Sequence, residues 1–497
     1  MRHDEKTEKF RQLVENKFQI YNSLFMSLPY DKMSNIGMLL PFLYEESRVG
    51  YEKGKNPEEI MEEFFAKHTE LQTDDQKTEL LFKIIQYIER QVVLFDSIED
   101  AAFAELHSEN DSGTVMQLQE RATQEHLLEE TREKMKNFAI KVVFTAHPTQ
   151  FYPNSVQRIL HDLRSAIMED SVTEIDMLLQ QLGKTPFVNK EKPTPLDEAM
   201  SIIFYLRYVY YDTIGELYKK IKNAFATDSF VPSQEMIQLG FWPGGDRDGN
   251  PFVTAEITQK VAAELHFSIL KSYYEHLKNV RRRLSFRGVS EILEKLSHHL
   301  YDAIFKEDQS IHSDEILKYL NEAKKIIVEK HNGLFLHLLE DFEDRVKIFG
   351  THFATLDIRQ DSRVHQGIID DILTKKSGLE IEKISEEEKL NWLLNTDLVL
   401  DPNDFEGITK DTLENINNIK NIQKRNGERG MSRYIISNSD HIKEVLNVFA
   451  LFKLCGYQEE EINIDIVPLF ETMEGLDAGE NVMKELNNFP IYRRHVE

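Results

Sequence analysis

The sequence predicts a mainly α-helical protein assembled around parallel β/α units, and three observations point that way. Long stretches are rich in Leu, Glu and Lys with few Gly or Pro breakers, a texture that favours helix. Four short β-branched runs interrupt them: Val142-Val143-Phe144, Ala354 to Ile358, Tyr434 to Ser437 and Ile464 to Phe470. Strands alternating with helical stretches are the pattern of parallel β/α units. Each run also ends in residues able to do chemistry, and the carboxyl ends of strands are where a β/α barrel keeps its active site.

Taken in order, residues 8–30, 75–106, 118–138, 197–224 and 312–348 read as helices. Asn189 to Pro195, with two prolines, reads as a connector. From Ala255 to about Leu284 the residues Leu265, Ile269, Tyr273 and Leu277 recur every fourth position, which marks one buried stripe, and Thr254 is placed as the N-cap. Ser385, with Glu388 three residues on, supplies a capping box for a further helix.

Polar residues follow the strand runs directly. Thr145-Ala146-His147-Pro148-Thr149 follows the first, Arg359-Gln360-Asp361 the second and Glu471 the last. Each has a plain structural reading beside the functional one. A lone histidine is more often packed or solvated than catalytic. Arg359 could simply pair with Asp357 or Asp361, and Glu471 could cap the next helix rather than bind a metal.

Composition bounds the setting. The 497 residues give two to four domains' worth of chain, or one large barrel with additions. One cysteine, Cys455, rules out an intramolecular disulfide and fits a reducing, cytoplasmic address. The N-terminus lacks an apolar signal region and no run approaches the length of a membrane span, so a soluble protein with no membrane partner is expected. A net charge of −26 argues against nucleic acid as a partner. An anionic substrate stays compatible if a few cationic side chains converge in one cleft. The patch Arg281, Arg282, Arg283 and Arg287 reads as a solvated helix end.

The densest chemistry lies at Gly244-Gly245-Asp246-Arg247-Asp248-Gly249-Asn250-Pro251. Glycines permit a tight turn and close approach to the backbone, while the Asp-Arg-Asp run can offer a cation flanked by two anions. A P-loop would need Lys and Ser or Thr closing the run, and a dinucleotide fingerprint would need GxGxxG. A calcium loop starting at Asp246 fails because Pro251 stands where Gly is required and Ile257 where the bidentate Glu belongs. A surface turn with a local ion pair remains the alternative.

TAHPT at 145–149, GGDRDGNP at 244–251, the segment from Phe349 to Ser362 containing LDIRQDS, and VPLFET at 467–472 together resemble, in order, the signature segments of bacterial-type phosphoenolpyruvate carboxylase. The resemblance implies a mainly α fold with a β/α (TIM-like) barrel of the phosphoenolpyruvate/pyruvate type, divided as an N-terminal helical region over 1–140 and a partial barrel with long helical insertions over 141–497. It implies conversion of phosphoenolpyruvate and bicarbonate to oxaloacetate and phosphate with Mg2+ or Mn2+, by way of carboxyphosphate and the enolate of pyruvate. By the same resemblance His147 is the catalytic residue that takes the carboxyphosphate proton, Arg359 holds phosphate or carboxylate oxygens, and Glu471 is a metal ligand. The loop would line this cleft, with Arg247 meeting an anion and Asp246 and Asp248 orienting it.

Two departures qualify the resemblance. After Thr149 many family members continue with an acid and two arginines, whereas this chain reads Gln150-Phe151-Tyr152-Pro153-Asn154. Family members also run on for nearly as much sequence beyond the equivalent of Glu497, and that part carries a second metal carboxylate, a catalytic lysine and a glycine-rich loop. The barrel is therefore expected to be incomplete in this chain. The chain is read as the N-terminal part of a carboxylase that assembles as a homotetramer when complete, inactive alone. The alternative is a non-catalytic or split subunit needing a partner chain for the rest of the barrel.

Overall fold

The computed structural model describes residues 3–27, 36–107, 113–145, 152–187, 193–306, 309–378 and 383–497. They form a mainly helical protein with a few short parallel strands, organised as two compact units. One unit comprises Met1–Glu120 with Pro148–Lys192, and the other Arg121–His147 with Pro193–Glu497. No helix among the described residues is long and apolar enough to cross a membrane.

The first unit is helical throughout its described residues. Its longest helix, Asp74–Leu106, starts at a capping box between Thr73 and Gln76 and buries Ile84, Val93, Leu94 and Ile98. These pack with Val156, Leu163, Leu179 and Leu182 from helices Asn154–Met168 and Val172–Lys184. Buried Arg90 donates to the carbonyls of Leu182 and Thr185, each at 3.2 Å, and lies 4.5 Å from the Phe187 ring centroid. It thereby adds side-chain donors to carbonyls at the end of helix Val172–Lys184.

The second unit holds the strands β1 (Ile140–Phe144), β2 (Ile237–Phe241), β3 (Thr355–Leu356), β4 (Ile358–Asp361), β5 (Arg433–Ser437) and β6 (Asp465–Pro468). They make two three-stranded parallel sheets in the orders β1-β2-β3 and β4-β5-β6. Only Asp357 separates β3 from β4, so strand order follows chain order across both sheets. Tyr434 and Ile436 on β5 are buried, and the Tyr434 hydroxyl meets His365 of helix Ser362–Lys376 at 2.8 Å. Strand β1 differs: Ile140, Val142 and Val143 keep 44%, 41% and 37% exposure. β2 is the one strand that the apolar runs did not announce.

Thr254 caps helix Ala255–Arg283 by accepting from Ile257 N–H, and Leu265, Ile269, Tyr273 and Leu277 are buried as the periodicity predicts. The capping box at Ser385 and Glu388 is also present. The stretch 312–348 is two helices, Ser313–His331 and Leu336–Phe349, because Asn332 and Gly333 take positive φ of 51° and 72° and stop the first. The stretch 118–138 is likewise divided, into Val115–Gln124 and Leu128–Lys136, with His126 at φ 59° between them.

Candidate active site at the strand ends

Strand β2 delivers the glycine-rich loop. After Phe241 the Trp242 carbonyl accepts from the N–H groups of both Gly245 and Asp246 at 2.8 Å, which closes a tight turn. Gly244 adopts φ +81° and its carbonyl accepts from Thr258 Oγ1 at 2.7 Å, tying the turn to helix Ala255–Arg283. Gly245 has a different reason to be glycine, since a Cβ there would stand 2.1 Å from the Asp357 carbonyl oxygen. The loop backbone therefore runs against the β3–β4 segment. Arg359 N–H donates to Gly245 O at 3.0 Å and Arg247 N–H to Arg359 O at 2.8 Å, so Asp246 and Arg359 form a parallel bridge.

That register decides which side chains meet. In extended backbone, alternate residues face opposite sides, so Asp246 and Asp248 turn one way and Arg247 the other. The two aspartates approach Arg359, with Asp246 Oδ2 3.3 Å from Nη1 and Asp248 Oδ2 3.1 Å from Nη2. Glu471, just past β6, brings a third carboxylate to 3.7 Å from Nη2. Arg359 lies 5.0 Å from the Trp242 ring centroid, and its Nε is buried without a hydrogen-bond partner. Burial raises the pKa of Asp246, and the Arg359 guanidinium opposes that shift.

The expected pairing of Asp246 and Asp248 with Arg247 is corrected by this geometry. Arg247 is 5% exposed and its Nη2 is hydrogen-bonded to Asp411, whose other oxygen accepts from Ala255 N–H at 2.9 Å. Asp411 thus joins the loop to the start of helix Ala255–Arg283. Arg359 pairs with neither Asp357 nor Asp361. Asp357 is held by Lys141 at 3.1 Å, and Asp361 by Arg363 and by Asn438 Nδ2 at 2.7 Å. The Arg363 contact keeps Asp361 below the usual carboxylate range.

Glu471 does not cap the helix that follows it. Thr472 does, accepting from Gly475 N–H, while Glu471 Oε1 accepts from Asn438 N–H at 3.1 Å. Among the described residues no group of three or more His, Cys, Asp or Glu side chains could hold a metal ion. Glu471 alone falls short of a metal centre. His147 lies outside the described residues, which stop at Thr145 just past β1 and resume at Tyr152. The residues that sequence reasoning missed are Trp242, Lys141, Asp411 and Asn438. Of these only Trp242, directly before the glycines, carried a local signal.

The cluster therefore presents one partly exposed arginine, shared among carboxylates from the ends of β2 and β6, on a wall built by parallel strands. The chain matches the family model described as phosphoenolpyruvate carboxylase over residues 80–312 and 290–497. It is 25% identical over 441 residues to the phosphoenolpyruvate carboxylase of Gloeobacter violaceus, covering 73% of this chain and 47% of that protein. The Prochlorococcus marinus strain MIT 9312 enzyme of the same name is 28% identical over 446 residues, at 73% and 45% coverage. That of Nitrosomonas europaea is 26% identical over 434 residues, at 73% and 46%. The chain spans about half the length of the curated relatives it matches.

Proposed function

Because the chain belongs to the phosphoenolpyruvate carboxylase family, we propose that it supplies one wall of an active site that forms oxaloacetate and phosphate from phosphoenolpyruvate and bicarbonate. The observation that carries this reading is the meeting of Arg359 with Asp246, Asp248 and Glu471 at the carboxyl ends of parallel strands. An arginine held by several carboxylates at a partly exposed position is oriented before a ligand arrives. Its planar fork can then exchange carboxylate contacts for the phosphate or carboxylate oxygens of an anionic substrate. Asp246 and Asp248 act here by fixing Arg359. Arg247 braces the loop through Asp411, which separates it from anion contact.

His147, three residues beyond β1, is assigned the proton-accepting role, as a group titrating near neutrality suits carboxyphosphate breakdown. Glu471 would give one carboxylate to Mg2+ or Mn2+, with the other ligands coming from outside the described residues. The bound ion would draw charge from the enolate oxygen. Excluding water from the closed cleft would protect enolate and carboxyphosphate from protonation and hydrolysis.

We further propose that β1 to β6 are the first part of a β/α barrel, with 1–140 as a helical region before it, in a cytoplasmic enzyme that forms a homotetramer when complete. The exposed apolar face of β1 supports this, since parallel strands are normally covered on both faces. Residues 1–497 alone are expected to yield no oxaloacetate from phosphoenolpyruvate, bicarbonate and Mg2+, and a chain carrying the remaining barrel is expected to yield it. Turnover by residues 1–497 alone would refute the incomplete-site reading, and a completed chain without carboxylation would refute the activity.

A further inference from the structure

Behind Arg359 lies a buried chain of polar contacts that the substrate reading does not use. Lys141 on β1 places Nζ 3.1 Å and 3.4 Å from the two oxygens of Asp357, and the two side chains are 12% and 2% exposed. Asp357 Oδ2 accepts from Trp242 Nε1 at 3.2 Å. The Trp242 ring then meets the Arg359 guanidinium at 5.0 Å. A slot is provided for the lysine, because a Cβ on Gly240 of β2 would stand 2.8 Å from Lys141 Cε.

The energetics single this chain out. A buried ion pair is often no more stabilising than apolar side chains of the same volume, whereas removing one partner leaves a costly buried charge. Asp357 is so deeply buried that its pKa is raised, and the Lys141 ammonium opposes the shift most strongly, ahead of the Trp242 N–H and the Arg433 charge. The carboxylate in turn fixes the indole by its N–H, and the indole offers its face to a guanidinium that prefers a fixed aromatic partner.

We propose that Lys141, acting through Asp357 and Trp242, is a positioning residue that sets the orientation of Arg359 in the cleft. The proposal rests on the reading of Arg359 as the cation that receives the anionic substrate. Lys141 touches no reacting atom in it. Its removal leaves Asp357 without its cation, frees the indole to turn, and lets Arg359 settle on its carboxylates in another geometry.

Fluorine NMR on the chain labelled with fluorotryptophan tests this directly. Trp242 and Trp392 are the two tryptophans, and Trp392→Phe assigns their resonances. Lys141→Met is expected to shift the Trp242 resonance and leave Trp392 in place, while Lys141→Arg stays near the parent position. Arg359→Gln is expected to shift Trp242 in the parent protein and to shift it less once Lys141→Met is present. Should Lys141→Met fail to fold, Gly240→Ala, which crowds the lysine stem most closely and Val143 Cγ2 at 3.1 Å beside it, is expected to produce the same selective shift. A Trp242 resonance unmoved by these lysine-slot variants, or one that moves equally with Trp392, overturns the proposal. Phosphoenolpyruvate added with Mg2+ to the complete enzyme reads the substrate assignment separately. A Trp242 resonance that answers the lysine variants but not this ligand removes the substrate role and leaves the positioning chain standing.

Discussion

Arg247 and Arg359 stand on adjoining, hydrogen-bonded backbone, yet their surroundings are opposite. Arg247 points back into the protein, is bound to Asp411 and is almost wholly covered, while Arg359 is partly exposed and is shared among Asp246, Asp248 and Glu471. One register explains both, because pairing Asp246 with Arg359 sends Arg247 to the other face. The Asp-Arg-Asp run that reads as one charged unit in sequence is thus split by the strand, its arginine bracing the loop and its aspartates holding Arg359, the proposed receptor. Substitutions at the two arginines should separate along that line. Arg359→Ala in the complete enzyme is expected to lower kcat/KM for phosphoenolpyruvate by about 10³-fold, roughly 4 kcal/mol, as for loss of a preorganised cationic or hydrogen-bonding donor. Steady-state kinetics check it, and a variant within a few-fold of the parent rate would erase the receptor half of the contrast.

Arg247→Ala should fail differently. It leaves Asp411 at the helix start without its cation, and stability is expected to fall by about 3 kcal/mol, the low end for breaking a buried pair because Asp411 keeps some exposure. Arg359→Ala should cost less stability, because the Arg359 side chain itself keeps 18% exposure against 2% for Arg247. Urea midpoints of the two variants decide between these outcomes, and equal losses would show that the arginines share one role. The register itself is exposed to Gly245→Ala. A methyl 2.1 Å from Asp357 O forces the loop off β4, with an expected loss of about 2 kcal/mol and weakened binding. An unchanged melting temperature would mean that the loop is free of the strand.

How much of this could be read beforehand follows from which interactions are local. The stripe at Leu265, Ile269, Tyr273 and Leu277 and the caps at Thr254 and Ser385 depend on neighbours within a few residues, and they were legible. β2 does not stand out as an apolar run because Gln238 and Gly240 dilute it, although Ile237, Leu239 and Phe241 alternate as a strand should. Asn332-Gly333 is a turn signal hidden inside a long helical texture. The partners of the two arginines depend on register across distant segments. Asp411 lies 164 residues from Arg247, and Lys141 lies 216 from Asp357. Nothing local announces such pairs, and the strand alternation that assigns Asp246 and Arg247 to opposite faces applies only once the loop is known to be extended.

Glu471 bears on the receptor side of the comparison, and its expected effect is the smallest. It stands 3.7 Å from Arg359 through Oε2 and accepts from Asn438 N–H through Oε1, so its charge bears on the arginine. Glu471→Gln keeps the volume and one acceptor while removing the charge. If Glu471 is one carboxylate among several metal ligands, the Mg2+ concentration giving half-maximal rate in the complete enzyme should rise roughly fivefold, about 1 kcal/mol. If its work is only to hold Arg359, the metal dependence should stay unchanged while KM for phosphoenolpyruvate moves. The two parameters measured on one variant therefore distinguish a metal ligand from a third arm of the arginine cradle.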